Sequence, residues 1–191
     1  MSFRFSLEKL TSSKWLNLFN ISYEKDGKTG QWVMCSRKKN PIIDSTCADA
    51  VVIIPIIKTK SGNKLVLIRE FRIPIGDYLY GFAAGLIDKG ESVEDTIRRE
   101  LKEETGLNVD KIVEISMPVF SSAGMSDESN HMALVEASGN ITNKFLEDSE
   151  DIEVVLMNSQ EIRELLKSQK RIAAKAWAML YHFASKAAIE F

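Results

Sequence analysis

Residues 85–107 read GLIDKGESVEDTIRRELKEETGL, and the reading of this stretch decides the rest of the chain. After Gly85 come Glu91, the triplet Arg99-Glu100-Leu101, the pair Glu103-Glu104, and Gly106-Leu107. Ser92 with Asp95 has the S-x-x-D form of a capping box, so a helix is expected to start near Val93. Gly106 is placed to end it in the left-handed conformation that glycine adopts without strain. At about 100° per residue, Val93, Ile97 and Leu101 form one apolar arc, with Glu94, Arg98 and Lys102 on the solvent side. Glu100 and Glu104 fall within or beside that arc, and Glu103 flanks it. Like charges three and four residues apart repel, and setting them against a core adds a desolvation cost. A merely solvated acidic face would place these glutamates opposite Val93 and Ile97. Converging on one rigid element, they read instead as ligands for a hard divalent cation, Mg²⁺ or Mn²⁺. Arg99 points elsewhere on the wheel and can pair with Glu91, so both are assigned an orienting, structural role.

The 191 residues are 45% apolar and 27% charged, enough to bury a core in one domain with a small appendage. A formal net charge of −2 gives no basic footprint for nucleic acid. No apolar run approaches the roughly 20 residues that would span a bilayer. Cys35 and Cys47, with no signal peptide ahead of them, are read as reduced thiols in a cytoplasmic protein.

Along the chain, residues 15–23 and 31–37 read as the strands of a hairpin, with a turn over 24–30. Such a hairpin must pack on the main domain or on a second subunit. Residues 40–46 are a connector. The runs 49–57 and 64–69 read as buried central strands, with a turn at 60–63 and Pro55 demoting part of the first to an edge or bulge. Residues 70–75 lead out of the second strand, and 78–84 deliver the chain to the acidic helix. Further strands are expected over 111–120 (broken by Pro118), 131–137 and 152–157, with a polar, acidic loop at 121–130. Ser159 is expected to cap a helix running to Gln169, and a last helix to span 171–186. Strands on both sides of a central helix, with helices closing the chain, indicate an α/β sandwich.

The spacing Gx5Ex7REUxEExGU, with U aliphatic, is filled at every specified position between Gly85 and Leu107. It is the Nudix box, and the chain resembles the Nudix hydrolases. The resemblance implies a Nudix-type α/β/α sandwich with a mixed sheet over residues 46–191, and an N-terminal antiparallel hairpin region over 1–45. It also implies metal-dependent hydrolysis of a nucleoside diphosphate linked to another moiety. Glu100, Glu103 and Glu104 would hold the metal, completed by the backbone carbonyl of Ala84, which an irregular Ala84–Gly85 turn would free. Gly85, Glu91, Arg99 and Gly106 are then structural positions of the motif.

Other features are similar to the ADP-ribose pyrophosphatases of that superfamily. Their S-P-G-x-x-x-E loop is matched in spacing by Ser122-Ala123-Gly124-Met125-Ser126-Asp127-Glu128. Glu128 is therefore the candidate catalytic base, with Asp127 and Glu103 as further catalytic candidates. The segment Ile68-Arg69-Glu70-Phe71-Arg72 resembles a strand end that presents an arginine to substrate phosphates. That makes Arg72 a phosphate clamp, its alternative being a surface ion pair with Glu70. Arg37 occupies a place from which such enzymes reach substrate, and the hairpin region commonly exchanges between protomers, so a homodimer is implied. Ala123 stands where many of these enzymes carry proline, and Ala83-Ala84 where Pro or Gly precedes the box. Both departures lie near where substrate is read.

Trp32 and Phe19 are read as packing rather than base stacking, and His131 and His182 as structural. The expected activity is hydrolysis of ADP-ribose or a related nucleoside diphosphate sugar to a nucleoside monophosphate and a sugar phosphate. The alternatives are other nucleotide substrates (triphosphates, dinucleoside polyphosphates, a coenzyme) and a nucleotide-sugar sensor. Such sensors often lose box carboxylates, and this chain keeps them all.

Overall fold

A computed structural model describes residues 3–41 and 48–185. Cys47, the expected 45/46 boundary and the end of the expected last helix at Lys186 lie outside the described residues. The chain divides into two compact units, residues 1–49 with 118–130, and residues 50–117 with 131–191. Residues 118–130 thus fall in the first unit.

The first unit is built on a three-stranded antiparallel sheet in the order β1 (Phe3–Lys9), β2 (Asn17–Lys25), β3 (Lys28–Ser36). The hairpin expected from sequence is β2–β3, but its turn is tighter. Lys25 pairs with Lys28 across Asp26 and Gly27, whose φ angles of 51° and 77° are the positive values such a two-residue turn demands. β1 was not expected, although Phe3, Phe5 and Leu7 alternate with polar residues as a strand should. Phe19, Ile21 and Met34 make this unit's small core, so Phe19 is packing as read. Trp32 is half exposed, its indole N–H donating to the Gly124 carbonyl at 3.0 Å.

The second unit is the sandwich with a mixed sheet that the sequence implied. Its sheet runs β11 (Ile152–Met157), β5 (Gly62–Arg72), β4 (Ala50–Thr59), β10 (Ser129–Ser138), β8 (Asn108–Ile115). Two short strands attach to it, β6 (Asp77–Gly81) to β5 and β7 (Ala84–Leu86) to β4. β9 (Val119–Phe120), in the first unit, pairs with Ser129 and Asn130 at the head of β10. Val51 and Ile53 of β4 pack with Ile97 and Leu101 of α1 (Val93–Thr105) on one face. Val52, Ile54 and Ile56 pack on the other with Ile162 and Leu165 of α2 (Ser159–Lys167) and Leu180 and Phe183 of α3 (Ala174–Ser185). Both faces of β4 are covered, which is why its sequence is apolar almost throughout.

Three expectations need correction. β4 is a central strand as read, but Pro55 does not turn part of it into an edge. Pro55 falls where the strand changes partner, between the Ala50–Val52 stretch on β7 and the Ile56–Thr59 stretch on β5, so its missing N–H interrupts neither of these two ladders. The second helix is capped by Asn158 rather than Ser159. Its side chain accepts from the Glu161 backbone while Glu161 bonds back to Asn158 N–H. The third helix starts at Ala174, because Arg171 O and Ala173 N are taken by Tyr80 in a bridge to β6.

Candidate active site

The acidic helix forms as its sequence directs. Ser92 caps α1 by accepting from Asp95 N–H at 3.1 Å, and the Asp95 carboxylate accepts from the Ser92 hydroxyl at 2.6 Å. Gly106 ends the helix at φ 77°, its N–H donating to Lys102 O. Ile97 and Leu101 are fully buried, and Glu100 (8% exposed) and Glu104 (5%) are buried with them. The cost read from the helical wheel is therefore realised.

Arg99 gathers the rest of the box. Its Nε donates to Glu91 Oε1 at 2.9 Å and Nη2 to Glu91 Oε2 at 2.9 Å. Nη1 donates to Glu100 Oε1 at 2.6 Å and Glu103 Oε2 at 3.0 Å, and Nη2 also reaches Leu86 O at 3.2 Å. These bonds, chiefly those from Arg99, hold the Glu91 carboxyl down to about 2 and push the Arg99 guanidinium up. The Arg99–Glu91 pair expected from sequence is present. Gly85 is needed for space, since a Cβ there would collide with the Glu100 carboxylate.

Glu104 is in a different state. It lies under the sheet with one hydrogen-bond donor among the described residues, the Ala84 N–H, 3.3 Å from Oε2 and 3.5 Å from Oε1. Burial, then the charges of Glu100, Glu70 and Glu150, push its carboxyl up to about 9. Burial also raises Glu100, against Arg99, and Glu70, against Arg72. Ala84 is not in an irregular turn. It opens β7, where Ala84 pairs with Val52 while Ala83 O accepts from Ile53 N–H at 2.8 Å. Peptide groups alternate sides along a strand. If Ala83 faces β4, Ala84 faces away from it, which is how its N–H reaches Glu104.

Two residues that sequence reasoning missed belong to this cluster. Glu70, on β5, and Glu150, two residues before β11, both act on Glu104 through their charge. Glu70 also takes Arg72, Nη2 to Oε2 at 2.6 Å, so Arg72 makes the ion pair named as its alternative. Strand pairing, not sequence spacing, brings this material together, Ile152 of β11 standing opposite Glu70. The one sequence signal was an acidic run, Glu147 to Asp151, directly ahead of a strand.

Among the described residues, no three such side chains already stand in metal-holding geometry. The donor set nevertheless fits a hard cation. Arg72 pairs with Glu70 and Arg99 with Glu91, Glu100 and Glu103, and these four with Glu104 and Glu150 all offer carboxylate oxygens.

The remaining predicted site residues lie in the first unit. Arg37 follows β3 and is exposed. Asp127 accepts from Ser36 Oγ at 3.0 Å and lies 3.8 Å from Lys38 Nζ, which pairs with Asp49 at 3.5 Å. Glu128 accepts from Ser121 Oγ at 2.7 Å, and that hydroxyl accepts from Asn130 Nδ2 at 2.7 Å. The loop is strapped to β3, with Cys35 N–H donating to Met125 O at 2.9 Å. Asp127 is thus an anchor for its loop, and Glu128 is the less engaged acid. His131 bonds Ser116 O through Nδ1 at 2.7 Å, as a structural histidine should.

A helix carrying buried carboxylates under a mixed sheet, preceded by a glycine, Gly85, that leaves room for one of them, defines a Nudix-type site. Residues 48–179 match the NUDIX domain, and the chain belongs to that family of hydrolases. It is similar to the ADP-sugar pyrophosphatase of Mus musculus, 34% identical over 70% of this chain and 61% of that protein. It is also similar to the ADP-ribose pyrophosphatase of Saccharomyces cerevisiae, 32% identical over 77% of this chain and 65% of that one. The chain thus spans somewhat under two thirds of the length of these relatives. The fold is that of a crystal structure of an ADP compounds hydrolase, with TM-score 0.74 over 95% of this chain and 93% of the other at 21% identity.

Proposed function

We propose that this chain hydrolyses the diphosphate bond of ADP-ribose or a related nucleoside diphosphate sugar, yielding a nucleoside monophosphate and a sugar phosphate. The observation that carries the reading is Glu104, a carboxyl group buried in one cluster with Glu100, Glu70 and Glu150 and given, among the described residues, a single peptide donor. Without a cation, burial makes it hold a proton rather than a charge. The names of the mouse and yeast relatives supply the substrate class.

Glu100, Glu103 and Glu104, with the Ala84 carbonyl, would hold Mg²⁺ or Mn²⁺. A bound cation neutralises diphosphate charge and lowers the pKa of the attacking water. Arg99 orients Glu100 and Glu103, and Glu91 orients Arg99. Arg72 and Arg37 serve the substrate phosphates, Arg72 by exchanging its Glu70 partner for a phosphate oxygen. The proton of the attacking water goes to a carboxylate. Glu128 is the choice on sequence spacing, with Asp127 behind it. Glu150 is a second choice, favoured by its charge reaching Glu70, Glu100 and Glu104. Residues 1–45 are the region through which a homodimer would form, and the cytoplasm is the expected compartment.

Phosphate release, coupled to alkaline phosphatase and measured over nucleotide sugars, triphosphates and dinucleoside polyphosphates with Mg²⁺ and with Mn²⁺, tests the reading. Preference for a diphosphate sugar supports it. Preference for triphosphates replaces the substrate class, and binding without turnover turns the chain into a sensor.

A further inference from the structure

The entry to β11 is held from one face of the sheet. Phe71 N–H donates to Asp151 O at 3.1 Å, carrying the β5–β11 ladder one residue beyond the Ile152–Glu70 pair. The Asp151 carboxylate accepts from the Tyr78 hydroxyl at 2.5 Å. Tyr78 is itself clamped. It stands opposite Phe71 in the β5–β6 ladder, the two rings edge to face at 5.4 Å. The Arg69 guanidinium lies 3.8 Å from its ring centre while donating to Glu153 at 3.2 Å.

Successive residues of an extended chain point to opposite faces. Phe71, its cross-strand partner Tyr78 and Asp151 share one face, and Glu70 lies on the other. Continued one residue back, the alternation puts Glu150 on the Glu70 face, the face of the buried carboxylates. Glu150 is further shaped by a local turn, its N–H donating to Glu147 O at 3.0 Å while its carboxylate accepts from Glu147 N–H at 3.0 Å.

We propose that the Tyr78–Asp151 hydrogen bond is a latch that positions Glu150. By fixing the entry of β11 from the far face, it sets which way the preceding residue presents its carboxylate to the Glu70–Glu104 cluster. Neither Tyr78 nor Asp151 touches that cluster, so both are positioning residues. The inference rests on the second of the two choices above, in which Glu150 rather than Glu128 takes the proton of the attacking water.

The test is steady-state kinetics on ADP-ribose with Mg²⁺, with melting temperature recorded for each variant. Glu150→Gln is expected to lose roughly 10²–10⁴-fold in kcat, as for a general base. Tyr78→Phe keeps the ring against Phe71 and Arg69 and removes only the hydroxyl. It is expected to lower kcat about tenfold or more with KM unchanged and melting preserved, since misplacement of about 1 Å can cost a hundredfold. Asp151→Asn retains an acceptor oxygen and should keep most of the rate, while Asp151→Ala should match Tyr78→Phe. In the Glu150→Gln background, Tyr78→Phe should cost nothing further. Unchanged kcat in Tyr78→Phe with Glu150→Gln inactive overturns the latch alone, as does an equal loss in both backgrounds. A wild-type rate in Glu150→Gln overturns the reading of Glu150, and the latch with it.

Discussion

Glu104 accepts a peptide hydrogen bond from Ala84 N–H at 3.3 Å, a pairing that ties the last turn of the acidic helix to the short strand on which the box begins. A buried carboxylate with so little compensation is raised to about 9. Between that value and the ordinary 4.5, the folded chain keeps a proton that the unfolded chain has released. Stability must therefore fall as pH rises through this window, by up to about 1.4 kcal/mol per pH unit for the one proton. Glu104→Gln removes the dependence. Urea unfolding at pH 6 and pH 8 with chelator should show a shallower pH slope in the variant, together with lost activity. Equal slopes would mean that Glu104 is ionised in the folded chain.

The same proton must leave when a cation takes its place. Binding of Mg²⁺ at pH 7.5 is predicted to release up to about one proton, and affinity should rise as pH approaches 9. Titration calorimetry in two buffers of different ionisation enthalpy measures it. Heats independent of buffer would contradict the displacement.

Gly85 leaves space that Glu100 fills. Gly85→Ala should cost about 1–3 kcal/mol by overpacking, and should lower kcat because the Glu100 carboxylate must move. Chemical denaturation and a single-substrate assay together report both. A variant with unchanged activity would show that the position of Glu100 is immaterial.

Arg99 is the main reason that the Glu91 carboxyl is held near 2. The stabilisation this brings is complete above about 4.5 and is lost as pH falls towards 2. Arg99→Lys cannot keep the paired bonds to Glu91. Its acid unfolding, followed by circular dichroism, should begin at higher pH than that of the wild type. Coincident acid transitions would remove Arg99 from the account of Glu91.

Glu128 and Glu150 make opposite predictions. If the water's proton goes to Glu150, Glu150→Gln loses about 10²–10⁴ in kcat while Glu128→Gln, in a loop tied by Ser121, keeps most of it. The reverse order returns the role to Glu128.

The helix was legible because everything that makes it is local: the Ser92 cap, the Ile97–Leu101 stripe, the Gly106 stop. Its buried glutamates could be read from the same wheel. Glu70 and Glu150 could not, because they join the cluster through pairing of β5 with β11, strands some 80 residues apart in sequence. Only a register, which the sequence leaves open, says that Ile152 stands opposite Glu70. Ala84 was misjudged for a related reason, a three-residue strand being too short to show a period. β1 showed its period but has no buried face, so it offered no apolar run of the kind that marked β4.

The most direct measurement is product analysis by anion-exchange chromatography of ADP-ribose incubated with the wild-type chain, with Mg²⁺ and with excess chelator. The account predicts AMP and ribose 5-phosphate in equal amounts with Mg²⁺, and neither with chelator. Equal rates with and without the cation, or unchanged ADP-ribose in both, would contradict it.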